Sequence, residues 1–193
     1  MIVIGLTGSI GMGKTTTADL FRQAGLPVFD ADATVHALYD GPLAAEIEAA
    51  FPGTTTGGRV DRARLADRLS SDNDAFRRLE AIVHPAVRRA EAEFLERARA
   101  GRAAAVVLDI PLLLETGRQD DVDKLVVVSA PAEMQRARVL ARPGMTAEKL
   151  EALLARQMSD AEKRARADVV IPTGAGIATA KAAVDAFLRQ LLS

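Results

Sequence analysis

The sequence predicts an α/β fold in which a five-stranded parallel sheet is flanked by helices. Three observations carry the prediction. Short apolar runs alternate with helical segments, the order that a parallel sheet covered on both faces requires. A glycine-rich segment joins the first apolar run to the first helix. A later run, Ala103 to Leu108, is continuously apolar, as a strand buried on both faces must be, and it ends on Asp109. A chain of 193 residues, 49% of them hydrophobic, allows one domain with inserted pieces and a substantial core.

Ile2 to Thr7 reads as a short buried strand. The segment after it, Gly8-Ser9-Ile10-Gly11-Met12-Gly13-Lys14-Thr15, fits G-x-x-x-x-G-K-[ST], the P-loop. Glycines let the backbone bend until successive N–H groups point into one cavity, an anion nest. Lys14 would reach the β- and γ-phosphates of a nucleotide, and the Thr15 hydroxyl would ligate Mg²⁺. A helix over 15–24 adds the positive end of its dipole. It carries Ala18, Phe21 and Ala24 on one stripe, with Gly25 as its C-terminal cap. Strand, loop, helix is the setting the motif requires, so the sheet is expected to be a P-loop NTPase core.

Leu26 to Phe29 reads as a second strand leading into Asp30-Ala31-Asp32. Thr34 to Tyr39 is a helical turn stopped by Gly41-Pro42. A helix over 43–51, a loop over 52–58 and a helix through Leu69 follow. From Asp74, residues Phe76, Leu79, Val83, Val87, Ala90 and Phe94 step by three or four, the spacing of one buried face. Pro85 interrupts that run, so His84-Pro85 is expected at the junction of two helices. After the strand ending at Asp109, Pro111 to Glu115 is a turn or short helix and Leu125 to Val128 a fourth strand. Ala132 to Arg142 is a helix, and Pro143-Gly144 is a break. A second polar helix follows with Thr146 as its N-cap. Asp168 to Ile171 is the fifth strand. Ile177, Ala180, Val184, Phe187 and Leu191 form the stripe of a closing helix.

Composition excludes several classes. The formal charge is −1 and no basic run stands out, so nucleic-acid binding is not expected. There is no cysteine, hence no disulfide and no thiolate metal site. His36 and His84, the only histidines, are too few for a histidine zinc cluster. The N-terminal apolar run lacks a basic leader and no stretch approaches membrane-spanning length, so a cytoplasmic protein without a membrane partner is expected.

Beyond the loop, Asp30 and Asp32 stand at a strand's carboxyl end, where open α/β sheets bind ligands. In an extended segment they share a face. Either could take the proton of an attacking hydroxyl or help hold Mg²⁺; alternatively, they are an acidic turn capping the next helix. Asp109 stands at the Walker-B position, binding metal directly or through water, or else is a strand-end cap. Arg136, Arg138 and Arg142 could clamp transferring phosphates or form an exposed basic face; Arg138 and Arg142, four apart, share a helix face. His84 has a ready structural reading at its junction.

In order along nearly the whole chain, these features resemble dephospho-coenzyme A kinase. The matching segments are Leu6 to Thr15, Asp30-Ala31-Asp32 with His36, His84-Pro85 and Asp109-Ile110-Pro111-Leu112-Leu113 with Glu115. Gln135, Arg138 and Arg142 match a Q-x-x-R-x-x-x-R segment, and Gln157, Lys163, Ala167 and Asp168 continue the pattern. Three positions depart: Leu153 where the family often has Arg, Pro143 where Asp often follows the lid arginine, and Thr173 where Asn usually precedes the last glycine.

The resemblance implies a nucleoside-monophosphate-kinase-like chain in three parts. These are a nucleotide core (1–32, 103–135, 165–193), a helical acceptor-binding region (33–102) and a lid (about 138–160). It implies transfer of the γ-phosphoryl of ATP to the ribose 3′-hydroxyl of dephospho-CoA, the last step of coenzyme A synthesis. In that scheme Gly11, Met12, Gly13, Lys14, Thr15 and Thr16 hold ATP, and Thr15 and Asp109 serve Mg²⁺. Asp32 deprotonates the acceptor, Asp30 and His84 help bind it, and Arg142 with Arg138 closes on the phosphates. Two rivals remain. A kinase of another small metabolite would differ only in its acceptor pocket. A GTP-dependent switch would usually carry N-K-x-D, which is absent here.

Overall fold

The computed structural model describes residues 1–70 and 73–192. The chain divides into two units, Met1–Phe29 with Ala98–Ser193, and Asp30–Arg97.

The first unit is built on the sheet. Its strands are β1 (Ile2–Thr7), β2 (Val28–Asp30, which runs into the second unit), β5 (Ala105–Asp109), β6 (Lys124–Ser129) and β7 (Val169–Pro172). They stand in the order β2-β5-β1-β6-β7, so the strand feeding the glycine loop is central. β1 runs parallel to β5 and β6, and β6 parallel to β7. In the β1–β5 register Leu6 pairs with Asp109, which brings that carboxylate to the carboxyl end of β1. Every residue of β5 is buried, which is why it reads as an unbroken apolar run.

Helix α1 (Lys14–Gln23) buries Thr17, Ala18, Leu20 and Phe21, while Ala24, expected on the stripe, is exposed. It ends in a Schellman motif: Gly25 N–H donates to Arg22 O and Leu26 N–H to Phe21 O. α9 (Ile177–Leu192) lays Ala180, Val184, Phe187 and Leu188 against the same core, and the Phe187 ring meets Phe21 edge-on at 6.4 Å. Ile177, at the start of the expected stripe, is exposed. α6 (Ala132–Leu140) and α7 (Ala147–Leu154) flank the Pro143-Gly144 break, and Thr146 caps α7 by accepting from Lys149 N–H. α8 (Asp160–Arg166) has no counterpart in the periodicity reading. It is short, opens on a Ser159–Glu162 capping box, and buries Lys163 rather than an apolar residue.

The second unit holds α2 (Ala31–Tyr39), α3 (Ala44–Ala50), β3 (Thr55–Thr56), β4 (Arg59–Val60), α4 (Arg62–Leu69) and most of α5 (Asn73–Ala100). Leu43, Ile47, Phe51, Val60, Leu65, Leu79 and Val83 form its core. The segment read as a loop over 52–58 contains half of a hairpin. Gly57 (φ 60) and Gly58 (φ 76) make its two-residue turn, a conformation that two glycines supply without strain. Glu48 pins the approach, accepting from Gly53 N–H, Thr55 N–H and the Thr55 hydroxyl. The Gly53 N–H, foremost, and the Thr55 hydroxyl hold the Glu48 carboxyl below its ordinary pKa.

Two expectations for α5 are corrected. It is one helix with Pro85 inside it, not two helices meeting at His84-Pro85. Proline removes one rung of the ladder, at the Ala81 carbonyl, and both residues lie on an exposed side where water can serve that oxygen. Phe76 is 51% exposed, and Ala75, one position earlier, takes its place beside Leu79 and Val83 in the buried face. No helix among the described residues is long and apolar enough to cross a membrane.

Phe21→Ala tests the sheet–helix core. Removing a fully buried ring that also meets Phe187 should lower the unfolding free energy by about 3–5 kcal/mol. Denaturant titration reads this as a lower midpoint. A loss below about 1 kcal/mol, the mean for any point mutation, would show that α1 and α9 do not share one core.

Candidate functional site

The site in the first unit grows from the exit of β1. Gly11 (φ 78) and Gly13 (φ 92) take left-handed conformations that turn the chain back on itself before α1. Gly13 caps α1 without a side chain, and the first turn holds no acidic residue. The N–H groups of that turn and the dipole behind them therefore stand ready for an anion. Thr15 and Thr16 are exposed at this end.

Four of the loop's other backbone groups are tied to side chains from outside it. Ile10 N–H donates to Gln157 Oε1 at 3.1 Å, and Ile10 O accepts from Gln135 Nε2 at 2.7 Å. Met12 O accepts from the Thr173 hydroxyl at 2.6 Å, and Met12 N–H reaches Ser9 O within the loop. Arg138 spans Thr173 O at 2.8 Å and Gly11 O at 3.4 Å. Ala130 N–H points at the Met12 sulfur, 3.2 Å away.

Lys14 Nζ lies 2.6 Å from Asp109 Oδ1, with the carboxylate side chain 2% exposed and that of the lysine 16%. The pair joins the loop to the end of β5, as the strand register requires. Among the described residues no group of three or more His, Cys, Asp or Glu is gathered for a metal. A magnesium ion bound mainly through substrate phosphates and water needs only one or two hard oxygen donors from the protein. The Thr15 hydroxyl and the Asp109 carboxylate have that chemistry, so the residues present fit the ion.

Two corrections concern the arginines. The helix carrying Arg138 stops at Leu140, so Arg142 lies beyond it, and the two do not share a helix face. Arg138 braces the loop and the segment after β7. Arg142 is exposed, and its backbone N–H closes the helix end on Val139 O. Arg136 is paired with Glu151 of α7 at 2.5 Å.

In the second unit, Asp30 and Asp32 do not share the face of an extended segment. The strand ends at Asp30, which is the N-cap of α2: its Oδ1 accepts from Ala33 N–H at 2.9 Å and its carbonyl from the Thr34 hydroxyl at 2.7 Å. Asp32 is exposed in the first turn of that helix, favoured there by the dipole. Capping chemistry outcompetes the extended chain because Asp30 can satisfy one of the helix's orphan N–H groups. His36, on the same helix, meets Arg62 at 3.1 Å, and His84 is exposed on α5.

Sequence reasoning did not identify Gln135, Gln157 and Thr173 as partners of the loop backbone. The one available signal was a pair of amides after the fourth strand, Gln135 on α6 and Gln157 in the joint before α8, and no local rule connects those to residue 10.

Comparison with known proteins bears on this geometry. The chain matches the family described as dephospho-CoA kinase over residues 2–179. A dephospho-CoA kinase of Mesorhizobium japonicum is 58% identical over 191 residues, covering 99% of this chain and 97% of the relative. One of Agrobacterium fabrum is 57% identical over 191 residues, covering 99% and 98%. A solved Thermus thermophilus protein superposes with a TM-score of 0.85 at 40% identity over 98% of this chain and 97% of its own. A shikimate kinase of Bacteroides thetaiotaomicron, 15% identical with a TM-score of 0.51 over 97% and 98% of the two chains, shares the fold. The likeness spans nearly the whole sequence and includes the strand, loop and helix that form the anion cradle, and on that ground the chain belongs to the dephospho-CoA kinase family, whose reaction is the final step of coenzyme A biosynthesis.

Proposed function

We propose that this kinase moves the γ-phosphoryl of ATP to the ribose 3′-hydroxyl of dephospho-CoA by direct in-line displacement, in the cytoplasm. The observation that carries the proposal is the uncapped start of α1 beside the Lys14–Asp109 pair: a cradle of N–H groups with one ammonium at its edge. Gly11, Met12, Gly13, Lys14, Thr15 and Thr16 bind the ATP phosphates. Before ATP arrives, Asp109 holds Lys14 at the cradle. The phosphates then compete for the ammonium with more charge than one carboxylate carries, so Nζ turns to the β- and γ-oxygens. Magnesium, held by Thr15 and, directly or through water, by Asp109, would neutralise phosphate charge when bound.

Asp32 orients the 3′-hydroxyl and accepts its proton. Its exposure in the first turn of α2 leaves the carboxyl group open to an acceptor. Asp30, already engaged as a cap, supports the position of Asp32, and His84 contributes to holding the acceptor. Arg142 closes on the transferring phosphoryl, and Arg138 supports the nucleotide from its place on the loop. Residues from about 138 to 160 act as the lid and 33–102 as the acceptor-binding region. A transition state with charge spread over three equatorial oxygens leaves the protein mainly positioning and neutralisation to perform.

Three measurements test this reading. Lys14→Ala should cut turnover by at least about 10²–10³-fold, the loss typical of one preorganised donor. It should also lower the melting temperature, because Asp109 stays buried without its ammonium. Near-wild-type turnover in a folded variant would sink the P-loop assignment.

Asp32→Asn should retain ATP binding and melting temperature while single-turnover transfer to dephospho-CoA falls about 10²-fold, the lower end of general-base effects. Recovery of the rate on raising Mg²⁺ would reassign Asp32 to metal support. A rate within about threefold of wild type, well under that range, would remove it from the mechanism.

Hydrogen exchange over residues 138–156 should slow when both substrates bind, because closure suppresses local opening. Unchanged protection would count against a lid.

A further inference from the structure

Beneath the loop braces lies a buried ion pair that the phosphoryl-transfer scheme does not use. Lys163 of α8 has a side chain 0% exposed, and its Nζ lies 2.8 Å from Glu115 Oε1 in the turn after β5. The ammonium has no well-aligned hydrogen bond, and Glu115 Oε2 is buried without a partner. Such an arrangement is poor value as a fastener: a pair of apolar side chains of similar volume would fill the space with no desolvation penalty.

What an apolar pair could not do is hold a backbone N–H. Glu115 Oε1 also accepts from Met158 N–H at 2.9 Å. Met158 lies in the non-helical joint between α7 and α8, where no helical ladder sets the backbone. Its neighbour in that joint is Gln157, whose Oε1 receives Ile10 N–H of the glycine loop. On the far side of the joint, Asp160 takes the Ser129 hydroxyl at 2.8 Å, and Ser129 O accepts from Thr173, which holds Met12 O. The joint is thus anchored at Met158 and at Asp160, and Gln157, immediately before the first anchor, is aimed at the loop.

We propose that Lys163 and Glu115 are positioning residues for nucleotide binding, acting through Gln157 on the Ile10 amide. The ammonium keeps the buried Glu115 oriented, Glu115 fixes the Met158 amide, and that sets Gln157. The inference rests on the reading of the loop as the ATP cradle.

The test measures ATP affinity by titration together with melting curves, on the full chain. Gln157→Ala should weaken ATP binding about three- to tenfold, the worth of one net hydrogen bond. Glu115→Leu combined with Lys163→Met, which leaves no lone buried charge, should weaken it by a similar factor while the melting temperature stays near wild type. Adding Gln157→Ala to that pair should then change affinity by less than about twofold, since the links act in series. Glu115→Gln with Lys163→Met keeps an acceptor for Met158 N–H but loses the ammonium that orients it, and should recover only part of the lost affinity.

Wild-type ATP affinity in Gln157→Ala, or in the folded Glu115→Leu/Lys163→Met variant, would overturn the inference and leave the cradle reading intact. Full additivity of the three substitutions would overturn it as well. Failure of the wild-type chain to bind ATP would overturn the cradle reading and the inference together.

Discussion

A loop that offers its N–H groups to an anion must dispose of its carbonyl oxygens elsewhere. That constraint organises the nucleotide-binding unit. Turning the backbone so that amides converge leaves the Ile10, Gly11 and Met12 carbonyls facing protein, where an unmet acceptor would cost about 1–3 kcal/mol each. Gln135 takes the first, Arg138 the second and Thr173 the third. Two come from α6 and the third from the segment after β7, all after β6. The segments that follow the core strands therefore keep the cradle in a shape it could not hold by itself. Electrostatic preorganisation requires donors that do not have to move when charge arrives.

Legibility in the sequence followed the range of the interaction. β1, the glycine loop, α1 and the apolar strand ending on Asp109 were readable because their signals are local: a periodicity, a motif, a buried run. The Lys14–Asp109 contact was not readable as a contact. It follows from the parallel register that sets Asp109 beside Leu6, and register is a property of two strands. The hairpin turn at Gly57-Gly58 was local and yet passed over, because strands of two residues carry too little alternation to register against a glycine-rich background. α8 was missed for a related reason. Its buried residue is a lysine, so an apolar stripe cannot find it.

Pro85 and Asp32 illustrate competition between local rules and surroundings. A proline inside a helical pattern argues for a break, but a missing rung on an exposed side removes only one bond, which water can replace, so α5 continues. A carboxylate pair at a strand end argues for an extended segment with both oxygens on one face. The N-cap preference of Asp30 starts the helix one residue later, and the pair is split into a cap and a first-turn anion. The cap has work to do whatever binds nearby, whereas Asp32 makes no capping bond. Of the two, Asp32 is the one whose substitution can alter chemistry without unwinding α2.

The turn that leaves β5 joins these strands of argument. Within seven residues it carries Asp109, which holds Lys14, and Glu115, which holds Met158 and faces Lys163. One segment thus reaches the glycine loop twice: directly through an ion pair at the phosphate end, and indirectly through Gln157 at Ile10. Neither route tolerates much slack, because a displacement of β5 along β1 by one register step would carry both carboxylates away together. The apolar residues between them, Ile110, Leu113 and Leu114, are buried and keep that step from occurring. Packing in this stretch is therefore a condition of the electrostatics, and the two cannot be altered independently.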